Sequence, residues 1–463
     1  YILYHINNQR LDTSSCKGLK NMAINNCEGE EHLRQKKMRC FMKKYYQPMK
    51  NLYKRFVILV MLFLGYLAVN AQIKDEVCPT VNRLSDNVIL LRYGIQTYDA
   101  VAAVNTDKGI IIIDTGISLT LTEKYKELIM KEFDRDDFLY IINTHGHYDH
   151  VAGNQIFQGA EIIAHHNCIE EMMNTIENKG KSIDRYNNIS KQYSEVTDTE
   201  QLLPIQKKQN RYLKNMYALA SADLEQKYTL FTPTLTFKDE LILKMGNVTL
   251  QLLYFGVGHS KSDIVIYIPE EKILFTGSAI LEGGLLGHNE INLEGIDRGN
   301  YVLDSLLDKE NGIEYCVTNH GIIFSKNDLI IYHDKLKKVL SDLSKGKTLY
   351  TARMFFELIN SSGLDDAIIN VKKMYADNGE YFFLEKDFLM LAYNFLSGNK
   401  LDDAVKISNL ILDIFPSSYL AYEIIAETAH KKGDLKKAKM YYEKYYKRSP
   451  NNQVVKAVLQ SLN

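Results

Sequence analysis

The sequence predicts an α/β layered domain followed by an all-α region. Three observations carry this prediction. Short apolar strands alternate with helical stretches between about residues 80 and 325, a histidine-rich loop follows one of these strands, and the last hundred residues form amphipathic helices. The chain has 463 residues, enough for two or three domains. Its net charge of -1 does not indicate a basic surface of the kind that binds nucleic acid.

The first 71 residues are expected to be absent from the mature protein. Met49–Arg55 is basic, residues 56–68 carry no charge, and Val69-Asn70-Ala71 presents small residues at a cleavage site. This order is typical of a secretory signal peptide, which we place at 49–71 with cleavage before Gln72. Residues 1–48 are interpreted as an upstream extension. The protein is thus expected to be exported, to the periplasm or outside the cell, with no stable membrane span after cleavage. An uncleaved anchor is the alternative, although the apolar run is shorter than the roughly 20 residues that span a bilayer.

The first predicted elements lead to the histidine-rich loop. Val88–Leu91 and Gly109–Ile113 have the continuous apolar character of buried strands, and the second strand ends at Asp114. Leu121–Phe133 has helical spacing, and Leu139–Ile142 is a further strand. A strand, a helix and a second strand followed by a polar loop favour a site at the strand ends.

The remainder of this domain, predicted to span 72–340, contains an interruption. Residues 166–228 are polar and helical in spacing, so we interpret them as a helical insertion that forms a lid or wall over the site. Strands resume at Leu241–Leu243, Val248–Leu252 and Ile264–Ile268.

An internal repeat is predicted within residues 345–463. Ala404 and Ala438 are 34 residues apart, and Pro416 and Pro450 show the same separation. That period, with a small residue where helices cross and a terminating proline, resembles the tetratricopeptide repeat. The resemblance implies stacked helix pairs and a possible protein partner. A generic helical tail is the alternative.

The segment from Thr144 to His150 places three imidazoles and the Asp149 carboxylate within a few residues. Neutral imidazole is the commonest metal ligand in proteins. His145 and His147 are separated by one residue, so an extended segment directs both rings to the same side. A polar surface loop that happens to be rich in histidine is the alternative.

Two later histidines complete the predicted ligand sets. His259 follows a strand at Leu250–Phe255, and His320 follows one at Tyr315–Val317; each has a glycine neighbour. The first predicted set is His145, His147 and His259, and the second is Asp149, His150 and His320. Taken singly, either later histidine would more often be a packed or surface residue than a metal ligand.

The ordered motifs resemble the metallo-β-lactamase fold superfamily. The run His145-Gly146-His147-Tyr148-Asp149-His150 is similar to its signature, and Asp114, His259 and His320 match further positions in order. Lys272–Ser278 is similar to its fourth motif, so the resemblance covers about residues 80–335. It implies an αββα sandwich with two zinc ions per chain at one edge of the sheets.

Ser278 departs from the pattern of many superfamily hydrolases, which carry a metal-bridging aspartate there. A serine hydroxyl is a poor zinc ligand, so the second ion would rest on Asp149, His150 and His320. This resembles one β-lactamase subclass and weakens the resemblance to phosphodiesterases and thioesterases. The local sequence from His259 to Ser278 is more similar to that of a β-lactamase subclass with a cysteine ligand, so the assignment to a subclass stays open.

The resemblance implies a catalytic scheme. Water on a zinc held by three imidazoles has a pKa of about 7 and supplies a hydroxide nucleophile. Asp149 and Ser278 are the predicted catalytic groups; Asp149 orients the hydroxide and Ser278 hydrogen-bonds a metal-bound water. Asp114 is expected to support the histidine loop by hydrogen bonds.

The predicted function is an exported zinc hydrolase of small-molecule amides, esters or lactones, with β-lactams as the best-known substrates. One alternative is a lactonase or a thioester, sulfur-ester or phosphorus-ester hydrolase. Another is a repeat-based assembly protein with a vestigial metal domain.

Other polar residues receive minor roles. His165 and His166 follow the strand Ala160–Ala164 and are expected to be structural, whereas His288 and Asn289 are candidates for the substrate cleft. The mature chain is expected to keep Cys78, Cys168 and Cys316, an odd number that indicates no disulfide framework or thiolate metal site, although one disulfide between an unspecified pair stays open.

Overall fold

A computed structural model describes residues 79–94, 99–197, 202–280, 292–308, 312–449 and 452–462. The predicted signal peptide and upstream extension lie outside these residues, as do Cys78, His288, Asn289 and Pro450. Within the described ranges, no helix has both the length and the apolar composition needed to cross a bilayer. Cys168 and Cys316 are buried as free thiols.

The first sheet of the described chain has seven strands in sequence order. The strands are β1 (Thr80–Arg83), β2 (Val88–Tyr93), β3 (Asp99–Thr106), β4 (Gly109–Ile113), β5 (Phe138–Ile142), β6 (Glu161–His165) and β7 (Leu235–Phe237). β1 to β4 pair antiparallel, and β4 to β7 pair parallel.

The second sheet has six described strands in the order β13-β12-β11-β10-β9-β8. They are β8 (Glu240–Lys244), β9 (Thr249–Tyr254), β10 (Ile264–Ile268), β11 (Ile273–Gly277), β12 (Tyr315–Thr318) and β13 (Ile323–Ser325). Only the β11–β12 pairing is parallel within this sheet.

The side-chain alternation of the strands explains why the two sheets stack. In β2, Val88 and Leu90 join the core between the sheets, whereas Ile89 and Leu91 pack on the opposite face. β10 does the same: Ile264, Ile266 and Ile268 point inward and Val265 and Tyr267 outward. Because both faces of these two strands are covered, residues 88–91 of β2 and 264–268 of β10 are continuous apolar runs.

Helices cover both outer faces. Helix α1 (Leu119–Phe133) packs on the first sheet through Tyr125 and Ile129, and the Ser118 side chain caps its N-terminus. Helices α6 (Leu293–Leu307) and α7 (Lys326–Ser344) pack on the second sheet. The described elements therefore form an αββα sandwich, which confirms the predicted fold class.

Four further helices of the described residues lie between β5 and β7. They are α2 (Tyr148–Val151), which continues into a 3₁₀ turn at Ala152–Ile156, and α3 (Cys168–Glu177), α4 (Lys179–Thr197) and α5 (Pro204–Gln226). Leu213, Met216 and Leu224 of α5 belong to the same apolar core as α1. Asp223 strengthens this attachment, because its carboxylate accepts hydrogen bonds from Ser118 Oγ at 2.6 Å and Thr120 N at 2.9 Å.

The C-terminal region is helical apart from a short parallel pair, β14 (Thr348–Tyr350) and β15 (Tyr381–Phe383). Its described helices are α8 (Ala352–Ser362), α9 (Leu364–Asp377), α10 (Glu385–Ser397), α11 (Leu401–Ile414), α12 (Tyr419–Lys431), α13 (Leu435–Arg448) and α14 (Gln453–Ser461). The pairs α10–α11 and α12–α13 begin 34 residues apart, and Ala404 and Ala438 are each 0% exposed. The region is helical as expected except for the β14–β15 pair, which the sequence analysis did not predict; its assignment to the tetratricopeptide family stays a prediction.

Strand direction gathers the polar loops at one edge of the sandwich. β4 and β5 are parallel, so the segments after them, which carry Asp114 and His145, leave the first sheet at the same end. β9, β11 and β12 also share a direction, which brings together the loops of His259, Ser278 and His320. Ile264 N donates to Thr144 O at 3.0 Å and links the two sheets there.

Candidate metal centre

The first group of predicted ligands is assembled from both sheets. His145 Nε2 lies 3.0 Å from His147 Nδ1, and His259 Nε2 lies 3.0 Å from the same atom. His145 is fully buried, whereas the other two rings are half-buried and reach the edge of the site. Residues 112 positions apart in sequence thus direct ring nitrogens to one point.

The second group contains Asp149, His150 and His320, whose ligand atoms lie within 4.8 Å of one another. His150 Nε2 is 3.3 Å from Asp149 Oδ2, and the His150 and His320 ring centroids are 5.2 Å apart. The His145 and His150 centroids are only 4.4 Å apart, so the two groups adjoin. The structure brings together all six residues predicted as ligands.

Burial and mutual repulsion control the charge of the first group. Burial is the largest cause that lowers the pKa of His145 far below its ordinary value, and the neighbouring imidazoles lower it further. His145 is consequently neutral near pH 7, the form that donates a lone pair to a cation.

The second group contains an ion pair between buried His150 and half-buried Asp149. Burial opposes the charged form of His150, but Asp149 and Asp114 outweigh it and raise the His150 pKa well above its ordinary value. Burial also opposes ionisation of Asp149, yet the imidazoles, above all that of His150, hold its pKa well below the usual range. A bound cation would take the place of the His150 proton, because metal ligands must be deprotonated.

The donor set of the first group fits zinc. Nitrogen ligands about 2.0–2.1 Å from a tetrahedral zinc lie about 3.4 Å from one another. The ring nitrogens are 3.0 Å apart, and each belongs to an imidazole rather than to a harder oxygen ligand. Three protein nitrogens leave the fourth tetrahedral position for water or substrate.

Asp114 supports both groups from behind. Its carboxylate is 1% exposed and accepts hydrogen bonds from Thr144 N at 2.8 Å and Thr144 Oγ1 at 2.7 Å. Its Oδ2 atom is also 3.5 Å from His150 Nδ1. The residue has a left-handed φ of 54°, which aspartate tolerates better than most residues. Asp114 therefore holds the start of the histidine loop by direct hydrogen bonds.

Ser278 contacts Asn319 rather than a ligand atom in the described contacts. It is 1% exposed, and its hydroxyl donates to Asn319 Oδ1 at 3.0 Å. The Asn319 amide lies 3.1 Å from His150 Nδ1. Ser278 and Asn319 thereby orient the imidazole of His150, a route that the sequence analysis did not foresee although Asn319 directly precedes His320.

Asp263 shapes the loop that carries His259. Its carboxylate is buried and accepts hydrogen bonds from Ser260 N at 2.8 Å and Ser260 Oγ at 2.9 Å. Burial raises the pKa of Asp263 to about 7, and these hydrogen bonds partly offset that rise. The sequence analysis missed this residue; its place four residues after His259 in a serine-rich turn was the available signal.

His165 and His166 lie outside both ligand groups. His165 is the last residue of β6, and its ring stacks on Tyr254 with centroids 4.0 Å apart. Burial, with a contribution from His166, lowers the pKa of His165 to about 4. His166 is exposed and serves below as a control position.

Comparison with known proteins agrees with this architecture. The sequence model of the metallo-beta-lactamase superfamily matches residues 99–301. A metallo-beta-lactamase type 2 from Bacillus cereus is 20% identical over 233 residues, covering 50% of this chain and 71% of that protein. Another from Bacteroides fragilis is 29% identical over 99 residues, covering 21% and 40%.

Two solved structures are also similar. A metallo-beta-lactamase from Pontibacter korlensis has a TM-score of 0.37 at 18% identity and covers 56% of this chain and 99% of its own. The stereoselective inverting sec-alkylsulfatase Pisa1 from Pseudomonas sp. has a TM-score of 0.44 at 14% identity, covering 83% and 66%.

The sandwich and the family match define the class of protein: the chain is a hydrolytic enzyme. Residues 99–301, which match the metallo-beta-lactamase superfamily model, contain five of the six candidate ligands, and the sixth, His320, follows them.

Proposed function

We propose that this protein is an exported zinc-dependent hydrolase that cleaves amide, ester or lactone bonds in the manner of a β-lactamase. The observation that carries the proposal is the convergence of two adjoining ligand groups at the exposed edge of the sandwich. The names of the Bacillus cereus and Bacteroides fragilis relatives support the β-lactam assignment.

In this proposal His145, His147 and His259 hold one zinc ion, and Asp149, His150 and His320 hold a second. Zinc, when bound, supplies a Lewis acid that lowers the pKa of water to about 7 and polarises the substrate carbonyl. The neutral imidazoles of the first group leave the positive charge of the cation undiminished, because they contribute lone pairs without negative charge.

The protein groups around this position orient the reactants. Asp149 is ionised, so its carboxylate can accept a hydrogen bond from the attacking water and fix its direction. Ser278 and Asn319 maintain the orientation of the His150 ring. Asp114 holds Thr144 and thereby the first turn of the loop. Each contact is made before the substrate arrives, so the site is preorganised for the reaction.

Metal analysis combined with a hydrolase panel tests the proposal. We expect the protein beginning at Gln72 to bind two zinc ions and to hydrolyse nitrocefin in a zinc-dependent reaction. His147→Ala and His259→Ala should lose the first zinc and about 10²–10³-fold of the activity, on the order of the loss for one essential transition-state group. His166→Ala is the matched control, because that exposed histidine lies outside both groups.

The same panel separates the alternatives. Absence of zinc-dependent nitrocefin turnover refutes the β-lactamase assignment, and turnover of a lactone, thioester, alkyl sulfate or phosphodiester instead identifies the other hydrolase. Full activity of both histidine variants would contradict the zinc mechanism. Wild-type protein that binds no zinc and turns over no substrate of the panel would favour the assembly protein with a vestigial metal domain.

Export and partner binding are parts of the proposal with separate tests. The basic segment, apolar run and cleavage site within residues 49–71 support export. N-terminal sequencing of the exported protein should begin at Gln72, and a chain that retains residues 49–71 would contradict cleavage. The 34-residue spacing of the helix pairs supports a tetratricopeptide-like surface for a protein partner.

A further inference from the structure

One carboxylate connects the two loops that carry the three-histidine group. Glu171 lies in the first turn of α3 and is half-buried. Its Oε2 atom accepts a hydrogen bond from Gly146 N at 3.1 Å, between His145 and His147. Its Oε1 atom accepts one from Lys261 N at 2.5 Å, two residues beyond His259. The hydroxyl of Ser262 also donates to Oε2 in a short contact.

The need for such a connection follows from the fold. His145 and His147 leave the first sheet after β5, whereas His259 leaves the second sheet after β9. The sheets are held together by apolar contacts in the core, which resist compression but do not direct polar atoms at the edge. A carboxylate that accepts hydrogen bonds from both loops adds direction to the Ile264 N–Thr144 O hydrogen bond between the sheets, because hydrogen bonds to a charged acceptor are short and strongly oriented.

Close packing around Gly146 shows how tightly α3 approaches the ligand loop. A Cβ atom at Gly146 would lie 2.6 Å from Cys168 O and 2.6 Å from Glu171 Cβ. The same end of α3 contacts the second loop again, since Asn167 Nδ2 donates to Lys261 O at 2.9 Å. Helix α3 therefore fits between the two loops, and Glu171 is its charged contact to both.

We propose that Glu171 is a positioning residue that sets the spacing of the three-histidine zinc site by bridging its two ligand loops. This inference rests on the zinc binding in the proposed function. Glu171 does not contact the ring nitrogens in the described contacts; it acts through the backbone of Gly146 and Lys261. Residues that orient metal ligands in this way typically contribute 10–100-fold to metal affinity.

Zinc affinity measured by competition with a chromophoric chelator tests the inference without any substrate. Glu171→Ala should weaken zinc binding at the three-histidine site by about 10–100-fold. The d–d spectrum of the Co²⁺-loaded protein should also change, because the three imidazoles no longer hold one geometry. Glu170→Ala is the matched control: Glu170 is adjacent on α3, and its 62% exposed side chain pairs with Lys261 Nζ at 3.0 Å. That variant should keep the wild-type affinity and spectrum.

Glu171→Gln provides a second variant that preserves the size of the side chain. Its amide offers one acceptor oxygen, but its NH₂ group meets a backbone N–H donor on the other loop, so we expect an affinity between those of wild type and Glu171→Ala. If Glu171→Ala does not fold, the glutamine variant decides the question by itself.

The outcomes distinguish this inference from the proposed function. Wild-type protein that binds no zinc at the three histidines contradicts both. Wild-type binding with unchanged affinity and an unchanged Co²⁺ spectrum in the Glu171 variants overturns the positioning role alone. Equal losses in the Glu170 and Glu171 variants also overturn it, because a general effect of charge on α3 then explains the result.

Discussion

Replacement of Asp114 by alanine is expected to destabilise the protein even without metal. The carboxylate accepts hydrogen bonds from the backbone N–H and the hydroxyl of Thr144, and both residues are 1% exposed. Water therefore cannot replace these hydrogen bonds in the variant unless the site opens. A measurement without metal therefore separates the stability that Asp114 gives the histidine loop from the stability that zinc binding gives it.

The size of the stability loss in Asp114→Ala depends on which hydrogen-bond partners remain for the two Thr144 donors. A hydrogen bond to a charged group contributes about 1.5–3 kcal/mol, and a buried unsatisfied donor costs about 1–3 kcal/mol. The Thr144 hydroxyl can turn to His145 Nδ1, which lies 3.2 Å away, so the backbone N–H is the donor that stays unsatisfied. We therefore expect the free energy of unfolding to fall by about 3 kcal/mol from the lost hydrogen bonds.

Alanine at this position adds a second cost, because the φ of Asp114 is 54°. An alanine in the left-handed region costs about 1–2 kcal/mol. Asp134→Ala is the matched control, since Asp134 is exposed, has a φ of 51° and carries the same backbone strain. The difference between the two variants then reports the contacts of the Asp114 carboxylate with Thr144 and His150.

Urea unfolding in the presence of a chelator measures this difference. Asp114→Asn should lose only about 1 kcal/mol, because its amide oxygen can still accept from Thr144 N–H and its NH₂ group can donate to the hydroxyl. If Asp114→Ala and Asp134→Ala lose the same free energy of unfolding, the carboxylate does not hold the loop and its contacts contribute nothing net to stability.

Two more predictions concern stability. Gly146→Ala should lower the free energy of unfolding by about 1–3 kcal/mol, because its Cβ would lie 2.6 Å from Cys168 O. Gly180→Ala in α4, where nothing lies within 4 Å, should raise it by about 0.5 kcal/mol. Urea unfolding that gives both variants the same change would contradict the close approach of α3. Burial raises the pKa of Glu423 from 4.5 to about 7. Below pH 4.5 Glu423 is protonated in both the folded and the unfolded protein, and the free energy of unfolding should fall by about 3 kcal/mol as the pH rises from there through 7. Glu423→Gln keeps an acceptor for the Tyr393 hydroxyl, 2.9 Å from the carboxylate, and should flatten this part of the pH profile; an unaltered profile would show that Glu423 ionises without cost.

The strands whose bounds were predicted most accurately have both faces covered. β4 and β10 are fully buried and read as unbroken apolar runs, so their bounds match the predicted ones residue for residue. β3 was not predicted, because Asp99–Thr106 is rich in alanine, which has a weak intrinsic preference for strands. It forms because β2 and β4 pair with it on both sides.

The ligand residues could also be predicted from the sequence, because they follow apolar strands that are recognisable there. A histidine directly after an apolar strand has a position fixed by that strand, and parallel strands end at one edge of a sheet. His145, His259 and His320 satisfy this condition, and the structure brings them to one edge. The supporting residues do not satisfy it: Ser262 and Glu171 are 91 positions apart in sequence and belong to no common motif.

By itself the sequence determined the chemistry available to this protein: which loops carry imidazoles, which strands that lead to them are apolar, and that a helical region follows. The tertiary structure decided which groups hold those imidazoles in place. Asp114, Asn319, Asp263 and Glu171 all act through hydrogen bonds that depend on distances between loops. Such distances are set by the packing of two sheets and a helix, and a polar side chain gains its role only when that packing removes water from its partners.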